Sequence, residues 1–239
     1  MNNSLERIIP DYAQASSPEE KASLELHMQR YEFAGKHLKP GIVYDVACGV
    51  GYGSYFLSTT YEQEITKLFA VDIDKKSIDY AQERYQHQKI EFCNEDAFVF
   101  QQHEKPDTII SIETIEHLSQ PAQFVQRLAS QLKEGGRFIA SAPVTPSMDA
   151  NPFHLQDFTV TSFKKLFQDA GLKEITCQLQ HQPYGLNQLF RNKNSNNRAI
   201  RRNLFQYYLQ HPSKLLLRIK STITDGLVNK YLLVVYEKS

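Results

Sequence analysis

Val43-Tyr44-Asp45-Val46-Ala47-Cys48-Gly49-Val50-Gly51-Tyr52-Gly53 decides how the rest of this chain is read. An apolar run ends in small residues, with glycine at every second position from Gly49. The run reads as a buried strand, and the glycines as a tight turn into a helix beginning near Tyr52. Glycine lets the backbone approach a ligand and take up positive φ. The helix that follows offers unpaired N–H groups at its start. The first strand therefore ends in a cradle for a small molecule.

Two nucleotide-like ligands compete for such a cradle. A dinucleotide fingerprint, G-x-G-x-x-G, places its third glycine three residues after the second. Here that place is Ser54, and a glycine comes one residue early, at Gly53. An acid, Asp45, also stands four residues before Gly49. The pattern D-x-[GA]-x-G-x-G resembles motif I of the class I S-adenosylmethionine (SAM) methyltransferases, with Ala47 where that family often has glycine. The resemblance implies a cofactor contact through Asp45, Ala47, Gly49 and Gly51, with the acid near the methionine end.

Composition narrows the class. A hydrophobic content of 41% suits a globular protein, and no apolar run approaches a membrane span. The N-terminal stretch, with Glu6, Arg7 and Asp11, lacks a signal-peptide core. Cys48, Cys93 and Cys177 are odd in number and widely spaced, so no disulfide framework is expected and a cytoplasmic location is. With 27 acids against 27 bases there is no global nucleic-acid signature. The bases are nevertheless unevenly placed. Between Glu174 and Asp225 no acid occurs, while Arg191, Lys193, Arg198, Arg201, Arg202, Lys214, Arg218 and Lys220 do.

Along the chain, residues 18 to 38 read as a helix opened by Pro18 and stopped by Pro40-Gly41. Strands are predicted at 42–47, 67–72, 89–94, 107–112 and 137–142, each followed by a helix, at 52–60, 75–87, 97–103, 121–132 and 160–170. Thr159 is the expected N-cap of the last of these, and Gly171 lies just past its end. Strands at 172–179 and 230–237 close the domain. The alternation predicts right-handed βαβ units and a doubly wound α/β sheet. Residues 181–229 read as a basic helical insertion within a single domain 1–239, and residues 1–40 as an N-terminal helical lid. The insertion holds a polar stretch, Asn192–Asn197, and apolar-basic helical stretches near 198–210 and 213–221.

In an open α/β sheet the ligand lies outside the carboxyl ends of the strands. The second strand ends at Asp72-Ile73, and Asp72 comes 21 residues after Gly51. That placement suits a carboxylate accepting from two ribose hydroxyls, in SAM or in NAD alike. The third strand ends in Asn94-Glu95-Asp96-Ala97. In the methyltransferase family an acid at the place of Asp96 accepts from the adenine amine, beside a backbone N–H such as that of Ala97. The resemblance runs from residue 42 to about 172, plus the closing strand. It includes Pro106–Ser111, the turn Leu132-Lys133-Glu134-Gly135-Gly136 and Ser141-Ala142-Pro143. It implies a seven-stranded Rossmann-like sheet of order 3-2-1-4-5-7-6 with strand 7 antiparallel.

The fourth strand runs into Glu113-Thr114-Ile115-Glu116-His117-Leu118. Residues i, i+3 and i+4 share one face of a helical turn, so two carboxylates and an imidazole are expected to converge. His154 follows in Asn151–Phe158, in the loop after the fifth strand. E-x-x-E-H with a later histidine resembles the metal site of the small-RNA 2′-O-methyltransferases and of the ubiquinone-biosynthesis O-methyltransferases. That resemblance implies Glu113, Glu116, His117 and His154 as ligands of a divalent cation such as Mg, Mn, Zn or Fe. The alternative gives His117, Glu116 and His154 a metal-free catalytic role, with His117 as general base and Glu113 near the cofactor. A purely structural role stands beside both.

The N-terminal helix brings Arg30 and Tyr31 as candidate contacts to the cofactor's carboxylate, against a packing Tyr31 and a solvated Arg30. The basic insertion suits an anionic substrate, a membrane surface through residues 191–220, or RNA, against a self-packing helical segment. The expected function is SAM-dependent O-methylation of a small-molecule or saccharide acceptor. The alternatives are an RNA 2′-O-methyltransferase and a non-catalytic SAM-binding sensor or scaffold.

Overall fold

The computed structural model describes residues 18–145, 154–183, 208–226 and 228–239. In chain order these form α1 (Pro18–Lys36), β1 (Gly41–Val46), α2 (Tyr52–Thr60), β2 (Ile65–Asp72), α3 (Lys75–Arg84) and β3 (Ile90–Asn94). Then come β4 (Thr108–Ile112), a 3-10 turn (Ile115–His117), α4 (Pro121–Gln131), β5 (Arg137–Pro143), α5 (Val160–Asp169), β6 (Leu172–Pro183), α6 (Pro212–Asp225) and β7 (Val228–Lys238). The sheet has seven strands in the order β3-β2-β1-β4-β5-β7-β6. The five strands β1 to β5 pair in parallel. β7 runs antiparallel between β5 and β6. This is the Rossmann-like order the resemblance implies.

The central strands are continuous apolar runs because both faces of the sheet are covered. Neighbouring residues on a strand point to opposite sides. Tyr44, Ile109, Phe138 and Val234 enter one core layer, beneath α4 and α5, with Phe124, Phe163 and Phe167. Val43, Ile110, Ile139 and Leu233 enter the other, beneath α1, α2 and α3, with Tyr31, Leu57 and Ile78. Phe167 stacks on Tyr236 with ring centroids 4.9 Å apart, which ties α5 to β7. Thr159 caps α5 by accepting from the Ser162 N–H, and Ser162 reciprocates.

Three sequence expectations change. Residues 97–103 form a turn at 97–99 and irregular chain beyond it, not a helix. There the Phe100 carbonyl accepts from Gln131 Nε2 at 3.0 Å and lies 3.5 Å from an Arg127 guanidinium nitrogen, while the Phe100 ring is buried. The tertiary core has claimed a carbonyl and a side chain that a helix would have used otherwise. α3 ends at Arg84, short of the 75–87 expected. β6 and β7 are longer than expected and pair out to Pro183↔Val228. The segment between them thus spans 184–227. Asn192–Asn197, Arg191–Arg202 and most of the stretch 198–210 lie outside the described residues; the stretch 213–221 is within α6.

Candidate active site

A cavity of 560 Å³ opens at the carboxyl ends of β1, β2 and β4, beneath α1. Its size is that of a small-molecule site. The floor is the turn after β1, where Ala47, Gly49 and Gly51 have φ of 62°, 59° and 83°. Such angles come free to glycine and cost strain at Ala47. A Cβ on Gly49 would meet no protein atom within 4 Å, so this part of the turn leaves open space for a ligand. Gly51 serves a different need. It is the left-handed N-cap of α2, and a side chain there would collide with Ala81 and Phe92.

Asp72 ties β2 to this turn. Its carboxylate accepts from the Gly49 N–H at 2.9 Å and from the Asp74 N–H at 2.9 Å. Asn94, at the end of β3, donates to the carbonyls of Asp72 (3.0 Å) and Ile73 (2.9 Å). The ends of three adjacent strands are thereby locked together. Ala47, Gly49, Asp72, Ile73, Asp96 and Ala97 all line the cavity. Asp96 also accepts from the Phe98 N–H at 2.8 Å, which turns the chain away from β3.

Asp45 and Gly51 do not line the cavity. Asp45 is fully buried beneath the turn. It accepts from the Ser54 hydroxyl at 2.6 Å, and the Tyr31 hydroxyl lies 3.4 Å away. Burial pushes its carboxyl up to about 7; the hydrogen bonds from Ser54 and Tyr31 oppose this, and the neighbouring Asp72 charge adds to it. Asp45 therefore ties the start of α2 to α1 from below.

Ser23, His27, Arg30 and Tyr31 of α1 line the other side. Arg30 is buried, not solvated. Its Nε donates to Gln180 Oε1 at 2.8 Å, Nη1 lies 3.4 Å from Glu113 Oε2, and its guanidinium stacks 3.9 Å above the Tyr231 ring. Gln180 in turn donates to the Leu26 carbonyl at 3.0 Å, so β6 grips α1. His27 Nδ1 is 2.7 Å from the Tyr52 hydroxyl. Burial, with Arg30 adding to it, lowers His27 to about 3, which keeps the ring neutral.

Glu116, His117 and His154 also line the cavity and come together there. One ligand atom from each lies within 4.8 Å of the others. His117 Nε2 is 3.9 Å from Glu116 Oε1, and the two histidine rings meet edge to face at 4.8 Å. His154 arrives there because the Glu116 carbonyl accepts from the N–H groups of Leu155 (2.8 Å) and Gln156 (3.0 Å). Glu113 stands outside this group. Its φ of 51° breaks the chain before the 3-10 turn, so the helical i, i+3, i+4 face expected from the sequence does not form. It pairs instead with Arg30 and accepts from Ser141 Oγ at 2.7 Å. The cluster is thus one carboxylate and two imidazoles, a set that suits Zn, Fe or Mn.

A family model described as a methyltransferase domain matches residues 39–198. The chain belongs to the class I SAM-dependent methyltransferase family. A Mycobacterium tuberculosis relative named "Probable S-adenosylmethionine-dependent methyltransferase" is 29% identical over 154 residues, covering 59% of this chain and 52% of that protein. The malonyl-[acyl-carrier protein] O-methyltransferase of Anoxybacillus flavithermus is 31% identical over 102 residues, covering 43% of this chain and 39% of that one. The chain thus spans about half, or less, of the length of these relatives. The magnesium protoporphyrin IX methyltransferase of Synechocystis, solved with its demethylated cofactor SAH, shares the fold. Its TM-score is 0.63 at 15% identity, with 94% of this chain and 88% of that one covered. In this methyltransferase-family chain, sequence reading alone left Gln180, Gln182, Tyr231 and Asn94 unassigned. Gln180 and Gln182 sit in a polar strand end that carries no motif.

Proposed function

We propose that this chain transfers the methyl group of SAM to an oxygen of a small-molecule or saccharide acceptor. The observation that carries the proposal is one cavity with two chemistries: the glycine turn and Asp72 at one end, Glu116, His117 and His154 at the other. Asp72 would accept from the ribose hydroxyls, the Ala47–Gly49 backbone would pass along the cofactor, and Asp96 with Ala97 would face the adenine. Glu113 and Arg30 would flank the methionine end. Bound SAM supplies a methyl group on a positively charged sulfur, open to in-line displacement by an oxygen.

The chain's own part is proton removal and alignment. A hydroxyl acceptor must lose its proton as it attacks, and the His117 ring would take it. Glu116, buried beside that ring, stabilises the imidazolium that results. His154 flanks the acceptor side. The O-methyltransferase activity named for the Anoxybacillus relative supports oxygen as the atom that takes the methyl group. The Glu116–His117–His154 cluster favours a second reading, in which the three hold a divalent cation that lowers the pKa of the acceptor hydroxyl.

Transfer of labelled methyl from SAM to sugar nucleotides, catechols and RNA separates these readings. Small-molecule labelling that His117→Ala cuts by about a hundredfold or more is the expected result. EDTA that abolishes turnover, with Mn restoring it, assigns the cluster to a metal. Turnover indifferent to EDTA leaves His117 as the base. Labelling of RNA alone would overturn the acceptor assignment.

A further inference from the structure

Among the described residues, no other element packs extensively against α6. Leu215, Ile219 and Ile223 recur at i, i+4 and i+8 and form one stripe, with Leu216 beside it. All four are exposed; Leu216 and Ile223 show 68% and 80% of their surface to solvent. A helix turned this way leaves in water the apolar face that a globular protein ordinarily buries. Lys214, Arg218 and Lys220 are interspersed with these residues, within a stretch from Glu174 to Asp225 that holds no acid. The place of the helix matters as much as its composition. α6 leads into the start of β7, where Tyr231 pairs with Pro143 at the carboxyl end of β5. Tyr231 and Gln182, from the two strands that carry this segment, line the cavity.

The geometry points to α6 as a membrane-surface helix that docks on anionic lipid and brings the cavity mouth to an amphiphilic acceptor held in the bilayer. Charge chooses the occupant. A second copy would oppose one acid-free basic segment to another across a two-fold axis. Single-stranded RNA is bound through aromatic stacking, and α6 has no aromatic residue. Apolar side chains on one face with interspersed bases are what an interfacial helix uses on anionic lipid. Among the described residues no helix is long and apolar enough to cross a membrane, so the contact is at the surface.

The choice of acceptor rests on the methyl-transfer reading, whereas the lipid contact does not. Full-length protein is sedimented with vesicles of equal parts phosphatidylglycerol and phosphatidylcholine, and with phosphatidylcholine alone. Binding to the anionic vesicles only, weakened by salt, is expected. Ile219→Glu/Ile223→Glu should reduce it at least about tenfold, the scale of two lost apolar insertions. Arg201→Glu/Arg202→Glu should weaken binding at low salt and flatten its salt dependence. Both variants should keep the SAH-induced rise in melting temperature of the wild type, which reads the cofactor site separately. No sedimentation with anionic vesicles at low salt, by protein that still responds to SAH, overturns the inference. So does retention of binding by Ile219→Glu/Ile223→Glu, a change from dimer to monomer in that variant, or tight binding to RNA in place of vesicles.

Discussion

Asp45 shows how a single residue can be displaced from the role its position suggests. Asp45 sits four residues before the motif glycine, yet it works below the cavity floor, on Ser54 and Tyr31. Its carboxyl is raised from 3.8 to about 7, so the folded state holds a proton that the unfolded chain releases. Its contribution is fully present below pH 3.8 and is lost as pH rises through 7. His27 has the opposite sign. Its pKa falls from 6.5 to about 3, so the unfolded chain takes up the proton first, and stability present above pH 6.5 is lost as pH falls. Thermal melts across this range should show His27→Gln losing less stability on acidification than the wild type. Asp45→Asn should remove part of the decline toward neutral pH. Parallel pH profiles for wild type and both variants would contradict these assignments. Neither environment was legible in the sequence, because burial of both side chains depends on α1 folding over the β1 turn. Glu113 was equally opaque: its positive φ, its pairing with Arg30 and its hydrogen bond from Ser141 separate it from Glu116 and His117.

At the scale of elements, Gly53 joins the turn after β1 to α1. The sequence used it to set the glycine spacing apart from a dinucleotide site. The structure supplies its reason: a Cβ there would collide with the Tyr31 ring of α1. Glycine to alanine within a helix ordinarily stabilises by about 1 kcal/mol. Here Gly53→Ala should instead lower the melting temperature and weaken SAH binding, because Tyr31 and α1 must move outward. A variant at least as stable as the wild type would show that α1 does not pack as described. In the core, Phe167→Ala should cost about 3–5 kcal/mol in denaturant unfolding, since it opens a void between α5 and β7. A loss below about 1 kcal/mol would mean that α5 is not held by this stack. The elements themselves were largely readable, because apolar runs, Thr159 and the glycine stops are local signals. The expected helix at 97–103 was not, because Gln131 and Arg127 reach the Phe100 carbonyl from a distant helix. The grip of Gln180 on Arg30, across 150 residues of chain, left no local trace either.

For the whole molecule, the sheet order decides where chemistry is possible. It brings β1, β2 and β4 side by side at its centre, with their carboxyl ends facing one cavity. That order came from the family resemblance, since strand–helix alternation alone is compatible with several doubly wound orders. Once it is in place, Asp72 stands beside the glycine turn, and Glu116 and His117 stand across from it. The antiparallel β6–β7 pair then adds Gln182 and Tyr231 to the cavity lining, with α6 in the connection between the two strands. The central claim is that the β1 turn and Asp72 form the SAM site. Calorimetric titration of SAH into the wild type and Asp72→Ala tests it most directly. The account predicts one-to-one binding by the wild type and at least about tenfold weaker binding by the variant, the scale of lost hydrogen bonds to a charged group. No binding of SAH by the folded wild type, or equal affinity in both proteins, would contradict it.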